Sequence, residues 1–507
     1  MKTKMLLATA STMLALSVAS AWAQATPGFN NKIPEKIMTP DTVQTRIGTL
    51  KFFDGLPTKE TAQLVYDNLD FLRAVEVFIN FLPAASVEAI REGVLEMGAT
   101  ASNKVLIWDK LMDSNSLFLT GNTDTVYAFA MLDLEKDGAT VVEIPPGTGP
   151  GTVDDAFFRF VIDMGRPGPD QGKGGKYLIL PPGYKGEAPE GYFVGRSASY
   201  INLVALRGFL VDGKPDAATK MFKEGLKVYP LSQAKNPPPT EFISGSGLKT
   251  NTIHANNAEF YKEVAAVIAR EPVELLDPEL RGLAASIGIT KNKPFAPDER
   301  MKKILVEAAA VANATARAIA FQTRDPRAYY YKGSQWKAVV PSFNYEFLND
   351  GGLGGRDLDG RADMFYQATL NTPAMVLKIP GVGSQYAGTE HDKDGNLLDG
   401  AKTYKLNIPA NVPAKDFWSI VVYDPQTRSQ LQTPQPYPSK NSKISDMATN
   451  ADGSIDLYFG PAAPAGKEKN WIQTVPGKAW FVYLRLYGPL EPWFAKTWQP
   501  GEIEAVK

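Results

Sequence analysis

From Tyr404 to the end of the chain the apolar residues recur at every second position in short runs, a period that suits strands and little else. The runs are Tyr404 to Ile408, Phe417 to Tyr423, Ile455 to Phe459 and Ala479 to Tyr487. Alternate side chains of a strand share a face, whereas a helix would scatter this pattern around its axis. Turn residues separate the runs, as in Asp394-Gly395-Asn396 and Asp452-Gly453, and the chain holds 43 Gly and 38 Pro. Short strands joined by such turns predict sandwich or jelly-roll layers. Earlier in the chain, Val126 to Leu132 reads as a strand apolar on both faces, and Phe157 to Met164 as another.

The period changes to that of a helix in blocks. Leu64, Phe71, Leu72, Val75, Phe78, Ile79 and Leu82 predict a helix from Thr58 to Leu82, with Pro83 ending it and a second, short helix over Ser86 to Met97. Further helices are expected near Asp216 to Val228 and Asn256 to Ala269. The longest starts at Pro297, a good first-turn residue, and lines up Met301, Ile304, Leu305, Ala308, Val311, Ala312 and Ile319. The expected fold is mainly β with helical additions: two β-sandwich or jelly-roll-like domains and a helical middle segment. Residues 24–250 are expected to form an N-terminal β-rich domain with flanking helices, 251–348 the helical segment, and 349–507 a C-terminal β-sandwich. The Gly-rich stretch Asn349 to Gly360 marks the boundary.

Residues 1–23 read as a secretory signal peptide. Lys2 and Lys4 supply the positive start, Met5 to Ser20 is apolar or small, and Ala21-Trp22-Ala23 gives the small-x-small site before Gln24. An apolar run of this length falls short of the ~20 residues needed to span a bilayer. The protein is therefore expected to be periplasmic or secreted, with no membrane span once the signal is removed.

Composition excludes several chemistries. The 507 residues include no Cys and two His. That removes disulfides, thiolate nucleophiles, cysteine-held clusters and a three-histidine zinc site within one chain. A net charge of −1 gives no overall basic bias toward nucleic acid. No Gly-x-Ser-x-Gly elbow, phosphate loop or dinucleotide fingerprint occurs, so no organic cofactor is expected.

Three groups of side chains could carry chemistry. A polar loop enters the Val126 strand and places Asn122, Asp124 and Tyr127 near one rim, where a carboxylate and a phenol could exchange a proton with a substrate. The plainer reading is an Asx turn in which Asn122 and Asp124 satisfy backbone N–H groups. Strand alternation would put Arg159 and Asp163 on one face, and Phe481, Tyr483, Arg485 and Tyr487 on another. A buried arginine needs an anion, supplied either by an internal carboxylate or by a ligand. The third group is the acidic turn around His391, Asp392, Asp394 and Asn396, which reads as a hairpin turn more readily than as a calcium loop. His254 could cap or act as a base. The acidic, glycine-rich cluster of Asp350, Asp357, Asp359 and Asp363 reads as a linker or as a lid.

The segments Asn122 to Tyr127, Leu132-Asp133-Leu134, Glu143-Ile144-Pro145, Gly172 to Tyr177 and Leu180 to Gly183 resemble an exported bacterial family defined by a domain of unknown function catalogued as twelve fifty-four. Leu398-Asp399-Gly400, Tyr404-Lys405-Leu406, Phe417-Trp418-Ser419, Asp452-Gly453-Ser454, Asn470-Trp471 and Arg485-Leu486-Tyr487 resemble its partner domain, catalogued as twelve fourteen. The resemblance implies two sandwich-like domains and export, and assigns no reaction.

Two functions follow from the side chains. One is a cofactor-independent hydrolase or lyase acting on a small polar-anionic or sugar-like compound. In it Asp124 and Tyr127 exchange the proton and Arg159 or Arg485 clamps the anion, with Asn122, Asp163 and Tyr487 in binding roles. The other is a periplasmic ligand-binding or envelope-interaction protein without turnover.

Overall fold

The computed structural model describes residues 33–506, so the leader expected over residues 1–23 lies outside the described residues. The chain divides into two compact units at Leu72. In the first unit, strands Thr42–Thr45, Gly48–Phe53 and Leu56–Pro57 form a three-stranded sheet with most of its side chains exposed.

The second unit, from Arg73 onward, contains the sandwiches. Its N-terminal half has a six-stranded sheet in the spatial order Glu241–Ser244, Lys104–Ile107, Thr125–Asp133, Ile201–Phe209, Pro150–Asp155 and Phe160–Gly165. A four-stranded sheet of Phe193–Arg196, Gly175–Leu180, Thr140–Ile144 and Lys227–Pro230 packs on it. Val126, Ala128, Ala130, Leu132, Val204 and Leu206 from the first sheet share one core with Val142, Ile144, Tyr177, Ile179 and Val228 from the second. Burial of each large side chain of this kind stabilises the fold by about 1.5–3 kcal/mol.

The C-terminal half repeats the construction. Strands Lys337–Ala338, Ser384–Thr389, Phe481–Pro489, Ala414–Tyr423 and Ser439–Asn441 form one sheet. Trp471–Gln473, Ile455–Gly460, Tyr404–Ile408 and Ile503–Ala505 form the other. Between them lie Leu406, Ile408, Leu457, Phe459, Ile420, Val422, Val482, Leu484 and Leu486. Because alternate residues point to opposite faces, the other sides of the Thr125–Asp133, Ile201–Phe209, Ser384–Thr389 and Phe481–Pro489 strands are turned away from both cores. Those outer faces carry the site.

Helices add to this frame, with three departures from the sequence reading. Lys59–Glu96 is one continuous helix that runs through Pro83. A proline in a helix interior costs about 3 kcal/mol or more. Here Phe81, Leu82, Ala84 and Ala85 are fully buried around it, and their burial offsets that cost. The strand expected from Phe157 begins only at Phe160, because the Asp155 carboxylate accepts from the N–H groups of Phe157 (2.7 Å) and Arg159 (2.8 Å) and closes a tight hairpin. The glycine-rich stretch leads directly into a helix, Leu358–Gln367, whose first turn Asp357 caps by accepting from Gly360 N–H at 2.9 Å. The long helix Glu299–Phe321 has the length and apolarity to cross a bilayer, and its alanine face (Ala308, Ala309, Ala312, Ala316 and Ala320) is buried in the protein.

Candidate functional site

Two tyrosine–arginine pairs, one from each half, line a single cavity. In the N-terminal sheet Tyr127 sits directly opposite Arg207 on the neighbouring strand, and in the C-terminal sheet Tyr386 sits opposite Arg485. All four are buried, and together with Phe118, Leu370 and Tyr483 they surround about 40 Å³ open to water-sized groups.

The electrostatics of this cavity are unbalanced. Arg485 donates to the Thr120 carbonyl (2.9 Å) and to the Tyr423 hydroxyl (2.8 Å), and its guanidinium lies 4.9 Å from the Tyr386 ring centre. Its Nε is buried with no hydrogen-bond partner among the described residues. Arg207 interacts with the Tyr386 hydroxyl. Among the described residues neither guanidinium lies within ion-pair distance of a carboxylate, although Arg207 acts on the Asp163 carboxyl and Arg485 on that of Asp124. Burial alone would push the Tyr386 phenol up, but the charges of Arg207 and Arg485 outweigh it and hold the phenol below its ordinary value. Tyr127 differs: burial raises its phenol against the pull of the same two arginines, and its oxygen accepts from Asn122 Nδ2 at 2.6 Å.

Two residues of the wall have left-handed backbone. Thr120, whose carbonyl takes the Arg485 bond, has φ of 41°, and Leu370 has φ of 67°. A side chain in the left-handed region costs of order 1–3 kcal/mol, and such residues cluster at ligand sites.

Asn122 and Asp124 do not line this cavity. Asn122 Oδ1 accepts from the N–H groups of Asp124 (2.9 Å) and Thr125 (3.1 Å), the Asx turn weighed from sequence. Asp124 reaches the other half instead, accepting from Ser419 Oγ at 2.5 Å, Asn441 Nδ2 at 3.0 Å and the Tyr487 hydroxyl at 3.4 Å. Burial pushes its carboxyl up, while Asn441, Ser419 and the Arg485 charge pull it down. A raised Asp124 therefore has a structural origin, and the residue acts as a latch between the two sandwiches. Asp124→Ala is expected to destabilise the protein by about 3 kcal/mol, since it strips several buried donors of their acceptor. Urea unfolding measures this, and a loss under 1 kcal/mol would refute the latch.

Arg159 is not brought to the cavity. It emerges from the hairpin turn, donates to the Leu275 carbonyl at 2.6 Å and lies 5.4 Å from the Phe157 ring centre. Its expected partnership with Asp163 is lost because the strand begins one residue after it. Asp163 lies in an adjoining chamber that shares the Arg207 wall with the main cavity, alongside Thr152, Thr372 and Ser384. Burial raises its carboxyl to about 6, against the pull of Thr372 and Arg207.

The remaining candidates have structural partners. His254 is buried between the Ala255 carbonyl and Arg428, and burial with that positive neighbour lowers its imidazole to about 3, which removes it as a base near neutrality. Asp392 accepts from the N–H groups of Asp394 and Asn396 and from the Asn396 amide, which makes its turn a hairpin closure. His391 lies against Glu390 at 3.0 Å and Gln322 at 3.1 Å. Among the described residues no group of three or more acidic or histidine side chains is arranged to hold a metal ion. In the glycine-rich cluster, Asp359 pairs with Arg324 at 3.0 Å and Asp363 accepts from Gln367.

Sequence reasoning passed over Arg207 and Tyr386. Arg207 carried a usable signal, a lone charge in the apolar run Ile201 to Phe209, the same pattern that singled out Arg485. Tyr386, in Ser384–Thr389, carried none, because its role comes from its strand neighbours.

Residues 102–230 match the family model described as "Protein of unknown function (DUF1254)" and residues 383–491 match "Protein of unknown function (DUF1214)". No curated protein matches the chain. The fold is similar to the crystal structure of the VPA0106 protein from Vibrio parahaemolyticus, with a TM-score of 0.52 and 17% identity over 86% of this chain and 100% of that one. An uncharacterised Burkholderia cenocepacia protein matches with a TM-score of 0.40 and 12% identity, over 88% of this chain and 97% of that one.

Proposed function

The chain belongs to the proteins that pair a DUF1254 domain with a DUF1214 domain, both of unknown function, and from its side chains we propose that it binds a small anion between Arg207 and Arg485 and moves a proton through Tyr386. One observation carries this reading: two buried guanidiniums, neither paired to a carboxylate among the described residues, flank one phenol in a single cavity. Buried charge is costly unless paired, so such a site favours an incoming anion strongly. Arginine also suits planar, two-oxygen acceptors.

The same arrangement supports acid–base chemistry of the lyase or hydrolase type. Tyr386, held toward its phenolate, can accept a proton from bound substrate and return it, and the two arginines stabilise negative charge that develops on the substrate. The proton acceptor is thus Tyr386 in place of Asp124, and the anion clamp is Arg207 with Arg485 in place of Arg159. Export to the periplasm or beyond, expected from the N-terminal segment, belongs to the same proposal.

Charge linkage provides the test. An entering anion offsets the two arginine charges that hold Tyr386 down, so its phenol rises and takes up a proton. With acetate as probe at pH 9, binding is expected to lower the tyrosinate absorbance of the wild type and to release hydroxide to the buffer. Tyr386→Phe should bind acetate without either change. Binding without proton uptake in the wild type would remove the acid–base half of the proposal and leave a ligand-binding protein.

A further inference from the structure

A second chamber adjoins the main cavity and, unlike it, has no arginine in its wall. It offers about 20 Å³ to water-sized groups and shares Val339, Met364, Met375 and Tyr386 with the main cavity. Its remaining walls include Val340, Phe343 and Val376. The one amide there, Gln385, donates to the carbonyls of Met375 (3.1 Å) and Leu377 (3.4 Å). On the opposite side, beyond Arg207, the Asp163 carboxyl stands with the hydroxyls of Thr152, Thr372 and Ser384 in an otherwise apolar wall. A hydrocarbon tail turned toward Arg207 would desolvate that carboxyl and those hydroxyls, whereas past the Tyr386 ring the one other polar side chain is Gln385, already bonded within the protein.

We propose that the ligand is a short-chain monocarboxylate, with its carboxylate between Arg207 and Arg485 and its hydrocarbon tail passing Tyr386 into the Val340, Phe343 and Val376 chamber. This rests on the anion reading above and specifies its substrate class. Size follows from the volumes. At about 10–15 Å³ per water-sized group, the main cavity takes roughly three and the second chamber one or two. A carboxylate with two or three further carbons fills both. A second charge at the far end would lie unpaired against valine and phenylalanine, which excludes dicarboxylates on desolvation grounds.

The experiment is an affinity series on the full protein by NMR titration, using formate, acetate, propionate, butyrate, hexanoate, succinate and inorganic phosphate. Affinity is expected to rise about fourfold per added methylene from acetate to butyrate, the value for burying one CH₂ group, and to fall at hexanoate when the chambers are full. Val340→Phe should flatten the rise while leaving acetate affinity within about twofold. If that variant does not fold, the wild-type series alone decides. A flat series from acetate to butyrate, or succinate or phosphate binding more tightly than butyrate, overturns the tail assignment while the anion site stands. No binding of any anion overturns both.

Discussion

Arg207→Met is expected to reduce anion affinity at least a hundredfold while leaving the Tm unchanged or higher. The two halves of this result come from one cause. Arg207 is buried, among the described residues it has no carboxylate partner, and Arg485 acts across the same cavity. Its charge therefore carries a desolvation cost in the empty fold, offset in part by its bond to the Tyr386 hydroxyl, and replacing such a group by an apolar one of similar length is often neutral or stabilising. Removing one partner of a buried charge pair in the complex costs about 2–5 kcal/mol, which exceeds a hundredfold at its middle value. Arg485→Met provides the contrast. It should lose anion affinity equally but also destabilise the protein by about 1–3 kcal/mol, because the Thr120 carbonyl and Tyr423 hydroxyl lose their donor. Titration with acetate beside thermal melting separates the two. A large drop in Tm for Arg207→Met would mean that this arginine is structural and that the site reading is wrong.

Stability is expected to fall as pH rises from about 5 to 8, with the optimum on the acid side of neutrality. Burial raises Glu263 to about 8, Asp363 to about 7 and Asp163 to about 6. For each, the folded state holds a proton that the unfolded state has already released. Their stabilisation is present below the unfolded value and is lost as pH climbs to the folded one. Each group contributes up to about 1.4 kcal/mol per pH unit across its window. His254 works the other way. Its folded value of about 3 lies below its ordinary one, so its contribution is present above pH 6.5 and is lost as pH falls toward 3. Several carboxyls against one imidazole leave the balance with the carboxyls down to about pH 4, below which their gain ends and that of His254 is still being lost. Urea midpoints measured from pH 4 to 9 test this. Glu263→Gln should remove the part of the slope above pH 7, and an optimum at pH 7 to 8 in the wild type would contradict the assignment.

Much of the frame was legible because its causes are local. The Tyr404–Ile408 strand shows in the sequence as alternation and Phe481–Pro489 as a short apolar run, and the structure places one face of each in the same core. The long helix Glu299–Phe321 announced itself by period, with Asp298 capping it. The failures also have local causes that were overruled. Pro83 is a helix breaker by its own chemistry, yet the apolar residues around it are buried and the helix continues. The Phe157 strand lost its first three residues to a carboxylate, Asp155, that closes the turn.

The sequence by itself determined a mainly β frame with helical additions, and it offered an Asx turn at Asn122 as the plainer of two readings and an arginine at position 485 whose anion could come from the protein or from a ligand. Each depends on the periodicity or geometry of neighbours along one segment. Only the tertiary structure decided which arginines meet. Tyr127 finds Arg207, and Tyr386 finds Arg485, through the register of strands about 80 and 100 residues apart, and the two pairs share a cavity only because the sandwiches pack with those faces inward. Period two marks which face a side chain takes, but it carries no information about what stands opposite. The site consists of those opposite neighbours, so nothing along the segment told Arg159, also a charge in an apolar run, from Arg207 until the strands were paired.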